Sequence, residues 1–226
     1  MDEWVPKTKL GKMVKEGKIT SIDEILDKGL KIREPEIVDY LLPDLKVEYI
    51  LIGQARGKAG GGQRRVLKVT RKKTAEGDKP KFSVLAVVGR EGYVGIGLGD
   101  GRESVPAREK AIRNAKLNII RIKRGCGSWE CACGTPHSIP FKVEGRSGSV
   151  RVVLKPAPKG LGLCISNEGK KILRLAGIKD VWAKSKGQTR SRINYAYAIF
   201  NALKKLSSTK LQPKFIKTAG VVEGAK

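Results

Sequence analysis

The stretch "GYVGIGLGDG", residues 92–101, with "RESVPAREKAIRNAKLNII" behind it at 102–120, decides the fold. Along an extended strand, successive side chains point to opposite faces. Val94, Ile96 and Leu98 therefore share one face, and Gly95, Gly97 and Gly99 share the other. A face of bare backbone admits something pressed very close, either a helix or a nucleic acid. The second segment offers the helix. Ser104 stands where an N-cap belongs, and Pro106 suits a first turn. Ala107, Ala111 and Ala115 recur at helical spacing with Ile119, a smooth stripe that fits a glycine face. The opposite side carries Arg108, Arg113, Lys116 and Arg121.

Working outward, the segments before it read as strands. "VEYILIGQAR" (47–56) is an apolar run, "QRRVLKVTRKK" (63–73) alternates apolar residues with cations, and "KFSVLAVVGR" (81–90) reads as buried. Sheet and helix make one unit over residues 46–124. A second unit, 138–206, follows a cysteine-rich connector, 125–137. There "SIPFKVEGRSGSVRVVLKPAPKG" gives two strands around a turn from Gly145 to Gly148. Ser166 or Asn167 caps a helix that Gly177 closes. "IKDVWAKS" is a short strand, and Ile193, Ala196, Phe200 and Leu203 share one face of a last helix. Cys164 reads as a core residue. Residues 207–226 are polar and glycine-ended, so a frayed tail is expected.

The arm, residues 1–45, is different. Ser21 with Glu24 has the spacing of a capping box, Gly29 reads as a stop, and Pro35 fits a first turn. Its helices are too short to stand alone and should dock on a neighbour or on the body.

Charge separates the same parts. The chain has 47 Lys and Arg against 22 Asp and Glu, a net +25. The arm holds eight cations and ten acids, which leaves the body at +27. Such an excess repels itself unless a polyanion lies beside it, and nucleic acid is the leading candidate, with an anionic membrane as the other. No segment approaches the roughly 20 apolar residues of a membrane span, and the start "MDEWVPKTKL" lacks a signal-peptide core. With four cysteines, three of them clustered, a reducing interior is the expected compartment.

"RGKAGGGQRR", residues 56–65, sits between two strands. A Walker loop needs Gly-Lys-Ser/Thr opening a helix, whereas Gln63 and Arg64 follow Gly62 here. It reads instead as a hairpin finger. Arg56, Lys58, Arg64 and Arg65 would neutralise phosphates, while glycines let the backbone come close. Arg71, Lys72, Lys73, Arg102, Lys123 and Arg124 extend this footprint alongside the helix cations, positioning RNA without reading its bases. A merely solvated loop and surface are the alternative.

"CGSWECACGTPH" places Cys126, Cys131, Cys133 and His137, the only histidine, within twelve residues. Three thiolates and an imidazole make a tetrahedral zinc set. The spacing C-x4-C-x-C-x3-H is not a standard finger and C-x-C is cramped, so a rigid connector with reduced thiols is the other reading. Neither H-x-E nor C-x-x-C is present, which argues against a zinc deaminase. A single histidine and no paired carboxylates in an apolar context leave no acid–base apparatus.

Taken together, three runs resemble the universal small-subunit ribosomal protein S-five family over residues 46–206. They are "RVLKVTRKK … FSVLAVVGREGYVGIGLGDGRESVPAREKAIRNAKLNII", "PHSIPFKVEGRSGSVRVVLKPAPKGLGL" and "AGIKDVWAKSKGQTRSRINYAYAIFNAL". The arm and the cysteine cluster resemble its archaeal-type branch. The resemblance implies an α+β fold, a double-stranded-RNA-binding-like sheet-plus-helix domain followed by a left-handed βαβ two-layer domain. It implies a cytoplasmic, non-enzymatic constituent of the small ribosomal subunit. Its expected partners are small-subunit rRNA near the decoding centre, the mRNA entry path, and the fourth and eighth small-subunit proteins, with roles in translational accuracy and assembly. It also carries Arg56, Lys58, Arg64 and Arg65 over as rRNA contacts. The kinase relatives of the second fold bind ATP through a glycine- and serine-rich loop, but "GLGLCISNEGKK" lacks its Lys-Ser/Thr pair, and shared fold does not transfer activity.

Overall fold

The computed structural model describes residues 4–54, 62–131 and 133–224. Three short helices, α1 (Lys9–Lys15), α2 (Ile22–Asp27) and α3 (Pro35–Leu41), form the arm. The first unit runs β1 (Lys46–Ile50), β2 (Gly53–Gln54), β3 (Arg64–Arg65), β4 (Lys68–Thr74), β5 (Gly77–Arg90), β6 (Tyr93–Gly101), α4 (Ser104–Leu117), β7 (Ile119–Arg121) and β8 (Lys123–Arg124). The second runs β9 (Val143–Ser147), β10 (Val150–Pro156), β11 (Leu163–Cys164), α5 (Asn167–Leu175), β12 (Val181–Lys186) and α6 (Arg192–Ser208). The chain closes with α7 (Pro213–Thr218) and β13 (Val222–Glu223).

The alanine stripe of α4 lies on the bare face of β6. A Cβ built on Gly95 would stand 2.2 Å from the Ala115 carbonyl oxygen, one on Gly97 2.2 Å from the Ala115 nitrogen, and one on Gly99 2.3 Å from the Ala111 nitrogen. No side chain fits there, and Ala107, Ala111 and Ala115 are fully buried. Of the two occupants the glycine face permits, the helix has taken it. Ser104 is the first helical residue rather than the cap: Glu103 is the N-cap, and its side chain makes no capping hydrogen bond.

β6 belongs to an antiparallel sheet ordered β1-β5-β6-β7, with β4 pairing the first half of β5. Its other face carries Ile50, Leu85, Val87, Val94 and Ile96, and these continue into Ile172, Leu173, Ile178 and Ile199 of the second unit as one apolar core. α5 is pressed onto this face at Gly89, where a Cβ would meet Leu175 Cβ at 2.8 Å. The two units thus share a core.

The second unit is a four-stranded sheet ordered β11-β12-β10-β9, with β11 parallel to β12 through α5. Ser166 is the N-cap of α5, its hydroxyl accepting from Gly169 N–H, and Gly177 follows the helix at φ +79°. The hairpin turn is shorter than expected. Ser147 pairs with Val150, so only Gly148 and Ser149 turn, with Gly148 at φ +58°. Gly145 sits inside β9 because α6 crosses it: a Cβ there would lie 2.0 Å from the Ala198 carbonyl oxygen. Cys164, expected in the core, is exposed on the short edge strand β11.

The arm docks on the body. Val14, Ile22, Ile25, Ile37 and Val38 pack with Tyr93 and Ile119, and Thr8 and Ser21 cap α1 and α2. Nor is the end of the chain frayed through its described residues: β13 pairs with β8, Ala219 is buried, and Cys126 N–H donates to the Ala219 carbonyl at 2.8 Å. The sequence pattern hid this because the tail is held by backbone bonds rather than an apolar stripe. Among the described residues, no helix is long and apolar enough to cross a membrane.

Candidate nucleic-acid interface and metal centre

Strand β4 is exposed along almost all of its length, because it pairs with the part of β5 that runs beyond the core. The resulting two-stranded ribbon presents Lys68, Arg71, Lys72 and Lys73, and none of them has an ion pair among the described residues. Two of the nearby acids are already occupied, Glu76 holding Lys79 at 2.5 Å and Asp100 holding Lys81 at 3.0 Å, while Asp78 stands opposite Lys73 without an ion pair. Burial works against the Asp100 carboxylate, but the Ser83 hydroxyl and the Lys81 ammonium together hold it below the usual range. Four unpaired cations against the single unpaired Asp78 leave the ribbon with a net positive field, which attracts anions.

The base of the finger is the β2–β3 pair, with Gly53 opposite Arg65 and Gln54 opposite Arg64. Arg56 and Lys58 lie outside the described residues. Arg102, just before α4, and Arg108 and Arg113 on it are exposed, and Arg108 stands 6.0 Å above the Tyr49 ring.

Four cations of the expected footprint are spent inside the protein. Lys116 pairs with Asp39 of the arm at 2.7 Å. Arg121 reaches Asp27 at 2.7 Å, Glu223 at 3.0 Å and Asp23 at 3.4 Å; burial opposes its charge, but these carboxylates raise its pKa on balance. Lys123 is buried against Glu223 and the Thr209 carbonyl. Arg124, 3% exposed, binds Glu91 at 2.5 Å and donates to the Gly224 carbonyl at 3.1 Å. The sequence expectation counted these residues as RNA contacts. The structure gives them another task, because the acidic arm and the tail fold back onto them.

The connector gathers its ligand set. The donor atoms of Cys126, Cys131, Cys133 and His137 all lie within 4.8 Å of one another. Zinc–sulfur bonds of about 2.3 Å and zinc–nitrogen bonds of about 2.0 Å imply an S···N tetrahedron edge of roughly 3.6 Å, and Cys131 Sγ to His137 Nε2 measures 3.8 Å. His137 Nδ1 faces Asp180 Oδ2 at 2.8 Å. An Nδ1–H donated to that carboxylate leaves the Nε2 lone pair for a metal, the second-shell arrangement of zinc-bound histidines. The thiols differ. Burial pushes Cys126 up, while the Thr135 hydroxyl and backbone N–H push the exposed Cys133 down to about 6. These residues fit a metal ion.

Asp180 was not legible in the sequence as part of this site, since it lies 43 residues from His137. Its other oxygen accepts from Gly160 and Gly162 N–H. Glu168 is the second buried carboxylate that sequence reading missed. It accepts from Leu51 N–H at 3.1 Å and binds Arg192 at 3.0 Å and Lys171 at 3.3 Å. Both acids are fully occupied in joining elements.

Residues 62–123 match the family model "Ribosomal protein S5, N-terminal domain", and residues 145–214 match "Ribosomal protein S5, C-terminal domain". The chain is 58% identical over its whole length to small ribosomal subunit protein uS5 of Nanoarchaeum equitans, covering 97% of that relative. The chain belongs to the uS5 family. It is also 53% identical to the Staphylothermus marinus uS5, over 90% of this chain and 89% of the relative. With the Methanocaldococcus jannaschii uS5 the identity is 50%, over 99% and 97%. A uS5 chain is a structural component of the small ribosomal subunit and not an enzyme. Asp180 and Glu168 suit that role, being spent on structure.

Proposed function

We propose that this chain binds small-subunit rRNA near the decoding centre and the mRNA entry path. There it supports assembly and translational accuracy beside the fourth and eighth small-subunit proteins. The observation that carries the reading is the β4–β5 ribbon, whose Lys68, Arg71, Lys72 and Lys73 make no ion pair among the described residues and outnumber its one unpaired acid, Asp78. Arg64 and Arg65 at the base of the finger, Arg102 just before α4, and Arg108 and Arg113 on α4 add to this footprint; Arg56 and Lys58, outside the described residues, join it on the resemblance alone. Lys116, Arg121, Lys123 and Arg124 stay with the protein. The arm 1–45, the units 46–124 and 138–206, the connector 125–137 and the tail 207–226 make up the working division, with a left-handed β11–α5–β12 crossover in the second unit.

The test is binding of the full chain to small-subunit rRNA across a salt series. Each phosphate contact removed should lower the log–log salt slope by about 0.9. Lys72→Ser and Arg71→Ser should each do so, and slopes equal to that of the parent chain would overturn the reading.

Zinc belongs to the same proposal. Cys126, Cys131, Cys133 and His137 would hold it, and bound there it would cross-link the connector. Elemental analysis should find about one equivalent, lost in Cys131→Ser. Folded protein that carries no metal as isolated and takes up none when zinc is added would refute it.

A further inference from the structure

Between the base of the finger and the second unit lies an open cleft of about 800 Å³. Among the described residues Glu168 is its one lining carboxylate, and it is spent: Leu51 N–H, Arg192 and Lys171 all bind it. Those two cations are spent as well. Lys171 also donates to the Tyr49 carbonyl and Arg192 to the Leu51 carbonyl, each at 2.8 Å. What remains free at the rim donates. Arg64 and Arg190 line the cleft without an ion pair among the described residues, and Ser185 and Thr189 line it as well. A second part of the lining is apolar: Leu51, Ile165 and Ala183, with the largely buried Tyr195 behind them.

An anion alone would need no apolar wall, and an apolar ligand would need no arginines. A nucleotide needs both, a phosphate for the donors and a base for the wall. The cleft lies open to solvent and borders the finger, so a strand can enter and leave it. We propose that this cleft seats one unstacked nucleotide of a single-stranded RNA segment, its phosphate between Arg64 and Arg190 and its base against the half-buried Ile165 and Ala183. The inference rests on the RNA-binding reading above and adds a second contact, away from the β4–β5 ribbon, that distinguishes strand from duplex. A free nucleoside monophosphate shares the ligand chemistry, so the test separates the two sources.

The experiment compares the full chain with Ser185→Glu and Arg190→Ser, both at exposed positions outside any core. The probes are a short single-stranded oligoribonucleotide, a duplex of the same sequence, and adenosine monophosphate. Anisotropy measures affinity, and methyl NMR reads Ile165 and Ala183 directly. The parent chain should prefer the single strand, with shifts at both methyls. Either substitution should weaken strand binding about tenfold, the scale of one base–side-chain stacking contact, while duplex binding changes far less. Lys72→Ser should instead weaken strand and duplex together. Unshifted methyls, equal losses for strand and duplex in Ser185→Glu, or monophosphate binding as tight as the strand would each overturn the proposal. Failure of the underlying reading looks different: the parent chain would then bind neither RNA, and the inference would fall with it.

Discussion

Replacing Gly97 by Ala adds one methyl group where the protein has no room for it. The Cβ would stand 2.2 Å from the Ala115 nitrogen, 2.5 Å from the Ala111 carbonyl oxygen and 2.6 Å from the Asn114 carbonyl carbon. All three are helix backbone atoms, so no side-chain rotation relieves the overlap. Ordinary contact begins at 3.4 Å, so α4 must retreat by about 1.2 Å. Withdrawal on that scale forfeits about half of the dispersion attraction between Ala107, Ala111, Ala115 and the sheet. The cost should be about 3 kcal/mol, at the upper end for overpacking, or some 6–12 °C in Tm for a chain of this size. Denaturant and thermal melts followed by circular dichroism measure it. Val105→Ala, on the exposed side of α4, is the control and should stay within about 0.5 kcal/mol. If Gly97→Ala matched that control, the close approach of α4 to β6 would be wrong, and the fold argument built on the glycine face would go with it.

Arg124→Ala should cost about 2 kcal/mol of stability by breaking the buried link to Glu91 and the tail, yet leave the salt slope of rRNA binding unchanged; a reduced slope would return Arg124 to the RNA surface. Glu168→Ala leaves Leu51 N–H, Lys171 and Arg192 without their acceptor, so denaturation should show a loss of about 3 kcal/mol. A neutral result would mean that the clamp between the units carries no energy. In metal-free protein near neutral pH, iodoacetamide should modify Cys133 before the other cysteines, because its thiol titrates at about 6 and is exposed. Bound zinc should protect Cys133 and leave the exposed Cys164 reactive, as peptide mass mapping would show.

Much of this architecture could be read from local pattern. The glycine face and the alanine stripe each declare a periodicity, and the two periodicities match only if helix packs on strand. Capping by Ser21 and Ser166 and the stops at Gly29 and Gly177 are equally local, since a cap depends on neighbours within a turn. The metal ligands were visible because all four fall inside one connector. Charge was visible as a sum, and it pointed to a polyanion.

Partnership between distant residues was not visible. Which cations stay free was decided when the acidic arm placed Asp23, Asp27 and Asp39 against Arg121 and Lys116, and when the tail brought Glu223 and Gly224 to Lys123 and Arg124. Asp180 became the orienting group for His137, and Glu168 the clamp between the units, only through chain returns of tens of residues. Periodicity is a property of neighbours along the chain, so sequence alone determined the elements, their buried faces and the sign of the partner. An ion pair or a ligand's second shell is a property of neighbours in space, and only the packed structure brings those together.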